Sequence, residues 1–225
     1  MEGTPKASQE KSLFELINNP LLTDIHISFD CCGLLSETHD HIFLKQFGDG
    51  SDKGIIFDTV LMYARFPVVR VIRTGKLAQK PRARGRQDME FFAKWLQDKG
   101  VERILTLQVQ EDNDDPHSDE SIQTSLRAFT IEHLDWQKSD IDPSIICETA
   151  DISKGDDVPA SDTGTGLITH RKDLRQLTLK WSGSNAALRA WSEPSGLPQM
   201  LELRKISLHI PSNSDVSILI PFHLG

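Results

Sequence analysis

Little cysteine, a single tyrosine and no long apolar run set this chain of 225 residues apart. Its three cysteines, Cys31, Cys32 and Cys147, are an odd number, and two of them are adjacent. Neighbouring cysteines close no useful loop and lack the spacing of a zinc knuckle, which excludes a disulfide framework and points to reduced thiols. Nowhere do the roughly 18 apolar residues that span a bilayer run together. The opening "MEGTPKASQEKS" lacks the apolar stretch of a secretory signal. The expectation is therefore a soluble protein without a membrane partner, in the cytoplasm or, through its basic stretch, the nucleus.

Acid is missing from one window. Thr59 to Gln87 holds eight bases and no Asp or Glu, leaving −16 for the rest of a chain whose net charge is −8. An acidic chain with one basic loop does not bind nucleic acid along its length, but the loop can meet an acidic partner or a polyanion. Arg73, Lys76, Lys80, Arg82, Arg84 and Arg86 are the interaction candidates, and "KPRARGR" has the composition of an import or polyanion patch. No interleaved aromatics are present to stack on bases.

Familiar catalytic motifs are missing as well. No G-x-S-x-G occurs, and Gly183-Ser184 is followed by Asn185 and Ala186 where a nucleophile elbow needs a second glycine. "FGDGSDKG" has neither the spacing of a phosphate loop nor a Ser or Thr after Lys53. The acidic run "EDNDDPHSDE" lacks the ligand order of a calcium loop, and acids before a helix complement its dipole. One metal-ligand candidate stands out, the pair His39 and His41 in "ETHDHIF", with His26, Asp30, Cys31 and Cys32 upstream. Two imidazoles on one strand face begin a zinc or iron site, whereas a solvated polar connection after two buried thiols is the plainer reading. No catalytic residue, metal or cofactor is assigned.

What the chain does have is a recurring triplet. "ILTLQV", "IEHLDW", "LRQLTLKW" and "LRKISLHI" place apolar residues at i, i+3 and i+5: Ile104, Leu107, Val109; Ile131, Leu134, Trp136; Leu174, Leu177, Leu179; Leu203, Ile206, Leu208. Alternation with Thr178, Lys180, Ser207 and His209 marks strands with one core face and one wet face. The triplets start 27, 43 and 29 residues apart, two of them near a leucine-rich-repeat period and one carrying an insertion. The strand pattern resembles the leucine-rich-repeat strand, L-x-x-L-x-L, although Ser182 or Pro211 stands where such a repeat wants Asn or Cys. The fold class is thus α/β, built of helix-strand units that are either loosely leucine-rich-repeat-like or an irregular, mainly parallel sheet.

Helices fall between these strands. "DMEFFAKWLQDKG" puts Met89, Phe92, Trp95 and Leu96 on one face, with Asp88 as N-cap and Gly100 as the stop. "SDESIQTSLRAF" places Ile122, Leu126 and Phe129 together behind Ser118. "SNAALRAW", capped by Ser184 or Asn185 and ended by Pro194, buries Ala187, Leu188 and Trp191. The four tryptophans, Trp95, Trp136, Trp181 and Trp191, fall on apolar periodicities and are expected in the core. Upstream, "LFELI" then "TDIHISFD", and "IIFDTVLMYA" then "PVVRVI", have weaker helix-to-strand character. The expected organisation is an N-terminal helix-strand segment over 1–64, a basic loop over 65–87, and a main α/β domain over 88–210. That domain carries a polar loop over 151–170 and is followed by a C-terminal tail over 211–225.

The segments "FFAKWLQDKGVERILTLQVQED", "PHSDESIQTSLRAFTIEHLDWQKSDI" and "LRQLTLKWSGSNAALRAWSEPSGLPQMLELRKISLHI" resemble the N-terminal region of a group of large fungal intracellular proteins. Those proteins carry a subtilisin-like serine protease domain further along the chain. The resemblance covers about Gly85 to Ile210, and its most specific pieces are "PHSDE", the "DW" ending a strand, and "WSGSNAALRAWSEPSGL". It implies a non-catalytic accessory or protein-interaction module attached to a protease, with a protein partner. It brings no protease residues, since none of the Asp, His and Ser contexts of a subtilisin-like site occurs. The chain ends at "SILIPFHLG", before such a domain would begin, as in a stand-alone or truncated copy of the accessory region. The alternatives are a portion of an intracellular serine endopeptidase and a metal-dependent hydrolase centred on His39 and His41.

Overall fold

The computed structural model describes residues 28–50, 54–74, 85–149, 169–170, 173–210 and 217–221. Eleven strands are defined among them. The first six are β1 (Ser28–Asp30), β2 (Glu37–His39), β3 (Val60–Phe66), β4 (Arg70–Ile72), β5 (Arg103–Val109) and β6 (Thr130–Ser139). The remaining five are β7 (Glu148–Thr149), β8 (Thr169–His170), β9 (Gln176–Lys180), β10 (Lys205–His209) and β11 (Ser217–Pro221). The helices are α1 (Asp40–Phe47), α2 (Asp88–Asp98), α3 (Asp119–Arg127), α4 (Pro143–Cys147) and α5 (Asn185–Ser192). The protein is α/β with one mainly parallel sheet, ordered β1-β3-β5-β6-β9-β10-β11. Six strands are parallel, and β11 closes the edge antiparallel to β10. No helix among the described residues is long and apolar enough to cross a membrane.

Strands that advance across a sheet in chain order, joined by crossovers of one hand, leave their helices on one face. The triplets decide which face that is. Leu61, Ile104 and Ile131 stand in register, as do Phe29, Ala64, Leu107, Leu134, Leu177 and Ile206, and then Phe66, Val109 and Trp136. All are buried, in one core with Met89, Phe92, Trp95 and Leu96 of α2, Ile122 and Leu126 of α3, and Trp191 of α5. Each fully buried Leu or Ile contributes about 1.5–3 kcal/mol, so the stacked triplets are the main cohesive element.

β3 carries a triplet that the alternation does not reveal, Leu61, Ala64, Phe66, and this corrects the reading of "IIFDTVLMYA" as a helix. Alanine at the middle position weakens the apolar signal, and strand pairing with β1 and β5 overrides the local pattern. The expected boundary between residues 64 and 65 falls inside this strand, so one sheet joins the N-terminal segment to the main domain. Part of the expected tail likewise enters the sheet as β11. The polar loop is described only at Thr169 and His170, and "LFELI" lies outside the described residues.

The three expected helices form, with a correction at the start of α2. Ser118 caps α3, its hydroxyl accepting from Ser121 N at 3.2 Å, and Ser184 caps α5 through Ala187 N at 3.4 Å. The position before α2 is Gln87, without a side-chain cap, and Asp88 turns its carboxylate to Val71 N at 2.6 Å. Of the tryptophans, Trp95, Trp136 and Trp191 are buried. Trp181 is only half-buried and donates to the Ser184 carbonyl.

Candidate functional site

Among the described residues polar side chains gather on the face of the sheet opposite the helices and at the carboxyl ends of its strands. On the open face the register lines up two polar rows. Ser28, Tyr63, Thr106, His133, Gln176 and Lys205 form the first, and Asp30, Arg65, Gln108, Asp135, Thr178 and Ser207 the second. Period-2 alternation places them there, one residue away from the buried triplets.

Hydrogen bonds knit the rows together. The Tyr63 hydroxyl donates to Gln108 Oε1 at 2.7 Å, and Gln108 Nε2 donates to Asp135 Oδ2 at 2.9 Å. Thr106 Oγ1 lies 3.3 Å from His133 Nδ1. Partial burial pushes the Tyr63 phenol above its ordinary range, so it stays a neutral donor at neutral pH. A shallow depression of about 260 Å³ sits over the middle of these rows, lined by Tyr63, Gln108, Asp135, Gln176 and Thr178 among others.

At the carboxyl ends the polar groups are buried instead. Glu111, after β5, receives His117 N at 3.1 Å and Trp136 Nε1 at 2.5 Å, and both its oxygens lie 2.9 Å from His117 Nδ1. Burial pushes the Glu111 carboxyl up, but the hydrogen bonds and charge of His117 and the Trp136 bond outweigh it, and the net shift is downward. Lys138 covers the group by donating to the His117 carbonyl at 2.7 Å and to Asp119 at 2.6 Å. This network ties β5, β6 and the start of α3 into one unit, a packing role that joins the Glu111–His117 loop to Trp136, 25 residues beyond Glu111.

Arg86 belongs to the same region, and its placement corrects its inclusion in an exposed basic patch. It is 6% exposed. Its Nε donates to Asp88 at 2.8 Å, and Nη2 donates to the Val69 carbonyl. Gly85, at φ 93°, allows the close approach: a Cβ there would lie 2.9 Å from Ser118 N. A cavity of about 480 Å³ opens beside Arg86, lined also by Arg70, Glu37 and Asp112. With two bases and two acids on its walls, and Arg70 already 2.6 Å from Asp115, it has no charge preference to select a ligand.

The other expected positions are dispersed. Arg73 follows β4 and donates to the Gln87 carbonyl at 3.4 Å, while Lys76, Lys80, Arg82 and Arg84 lie outside the described residues. His39 ends β2 and His41 enters the first turn of α1, their ring centroids 5.4 Å apart and tilted by 54°. They are therefore not on a common strand, and Asp40 between them holds Thr74 N at 2.9 Å and Thr74 Oγ1 at 2.8 Å. Among the described residues no three His, Cys, Asp or Glu side chains gather as metal ligands. Cys31 is buried as expected, whereas Cys32 is exposed.

Three of the four serines of "WSGSNAALRAWSEPSGL" have structural partners. The Ser182 hydroxyl donates to Asp140, whose backbone is held at φ 53° where the chain leaves β6. Ser184 caps α5, and Ser192 donates to the Arg189 carbonyl at 3.0 Å. Comparison with protein-family models, characterised proteins and solved structures returned no match to this chain. Sequence alternation locates Thr178 and Ser207 on the wet face; Tyr63 and Arg65 escape it because the β3 triplet has alanine at its centre.

Proposed function

We propose that this chain is a non-catalytic interaction module that docks a protein partner across the open face of its sheet. The observation that carries this reading is the pair of polar rows crossing six strands on a face no described helix covers. Half-buried, hydrogen-bonded side chains on a rigid sheet form a pre-organised surface, which lowers the ordering cost of association. The serine partners described above support a non-catalytic role, since the hydroxyls of Ser182, Ser184 and Ser192 serve a turn, a cap and a helix end. The segments "PHSDE" and "WSGSNAALRAWSEPSGL" support a kinship with the accessory regions of fungal subtilisin-like proteins. An intracellular setting suits the free cysteines Cys31, Cys32 and Cys147.

Site-specific photo-crosslinking in cells tests this. A benzophenone side chain at Thr106 on the open face is expected to trap a discrete protein adduct, and one at Lys94 on the outer side of α2 is not. Adducts from Lys94 with none from Thr106 would move the binding surface to the helices and overturn the proposal. Labelling of the purified chain by a fluorophosphonate would overturn its non-catalytic part.

A further inference from the structure

We infer that the depression on the open face is a seat for an arginine side chain presented by the partner protein; this rests on the open face being the docking surface. Asp135 is the depression's carboxylate, and no Lys or Arg lines it. Among the described residues Asp135 takes part in no ion pair. The neighbouring cations are engaged elsewhere or stand apart. Arg65 faces Asp30 at 4.0 Å, Lys180 donates to Asn113 at 2.9 Å, and Lys205 lies one strand beyond Gln176. Among the described residues the centre of the face thus carries one carboxylate without an ion pair, while the charged members of the rows, Asp30, Arg65 and Lys205, stand on the strands further out.

The hydrogen-bond pattern selects among cations. Tyr63 donates to Gln108, which in turn donates to Asp135 Oδ2, so the chain orients the carboxylate from one side and, among the described residues, leaves Oδ1 without a hydrogen bond. Across β6 and β9, Asp135 stands beside Thr178 and His133 beside Gln176. Neighbouring strands lie about 4.8 Å apart, which sets Thr178 opposite Asp135 with Gln176 two residues along the same face of β9, so a carboxylate, a hydroxyl and an amide with acceptor capacity border one side of the depression. A guanidinium offers five donors in a planar fork and can serve several such acceptors at once, whereas an ammonium is a point charge with three. Arginine's weaker hydration also lowers the cost of entering a half-buried seat.

The test is a titration of the ¹⁵N-labelled protein with N-acetyl-L-arginine amide, followed through the backbone amides. Expected are saturable shifts at Gln108, Asp135 and Thr178, weaker binding of N-acetyl-L-lysine amide, and none of N-acetyl-L-glutamate amide. Asp135→Asn keeps the side-chain shape and should weaken arginine amide binding by about tenfold, the size of one charge-assisted hydrogen bond. The variant's own spectrum, unchanged away from the site, shows that it is folded. Absent shifts, equal binding of the lysine amide, or full binding by Asp135→Asn would each overturn the arginine seat. If Thr106 still traps a partner in that event, open-face docking stands and only its arginine chemistry fails. No adduct at Thr106 overturns both, even where the amide binds.

Discussion

On β6, Ile131, Leu134 and Trp136 turn into the core, while His133 and Asp135, one residue away, stand on the open face. The same contrast runs from β1 to β10, where buried Phe29, Ala64, Leu107, Leu134, Leu177 and Ile206 adjoin the two polar rows. One face is filled by side chains with no alternative place to go, and its cost of change is set by cavities. The other is held by hydrogen bonds that water can replace, so its residues are free to be chosen for a partner. Stability and recognition are therefore separated onto opposite sides of one set of strands.

Three substitutions should break or sharpen that contrast, in order of effect. Trp136→Ala removes the largest fully buried side chain among the described residues and the bond to Glu111, and should destabilise by about 3–5 kcal/mol in chemical denaturation. A loss under about 1 kcal/mol would mean that the helix side is not the tightly packed one.

Glu111→Gln probes the buried polar network and should cost about 1–3 kcal/mol near neutral pH, because three donors lose a charged acceptor. The sign of its pH dependence follows from the lowered carboxyl. Stabilisation by ionised Glu111 is fully present above the ordinary glutamate range and is lost as pH falls through the folded value. The stability gap between wild type and Glu111→Gln, read from urea midpoints at successive pH values, should therefore close on acidification. A gap that stays constant or widens would show that the carboxylate is not ionised in the folded protein.

Thr178→Val lies on the open face and should change stability by less than about 0.5 kcal/mol. A loss comparable to that of Trp136→Ala would mean that the face is packed against something and is not a free docking surface.

The fold was largely legible in the amino-acid order because its main cause is local. A spacing of i, i+3, i+5 is visible without knowing what it packs against, and the caps Ser118 and Ser184 act within three residues. Where the local signal was mixed it misled. In "IIFDTVLMYA" apolar residues suit either periodicity, and pairing with two strands decided for β3. Arg86 has the same sequence context as its basic neighbours, and only the approach of Val69 and Asp88 distinguishes it. Nothing in the spacing of Glu111, His117 and Trp136 announces their contact, since it crosses two turns and a helix.

By itself the sequence determined that the chain is α/β, which side of each strong strand is apolar, and that three helices fall between those strands, two of them with their caps. These follow from periodicity and capping, both set by near neighbours. The tertiary structure alone decided that six parallel strands follow chain order, that Arg86 is buried, and that Asp135 meets Gln108 and Thr178 as the centre of a polar face. Apart from the local Arg86–Asp88 pair, those are contacts between segments distant in the chain, and they exist only once the triplets have stacked and pinned the register.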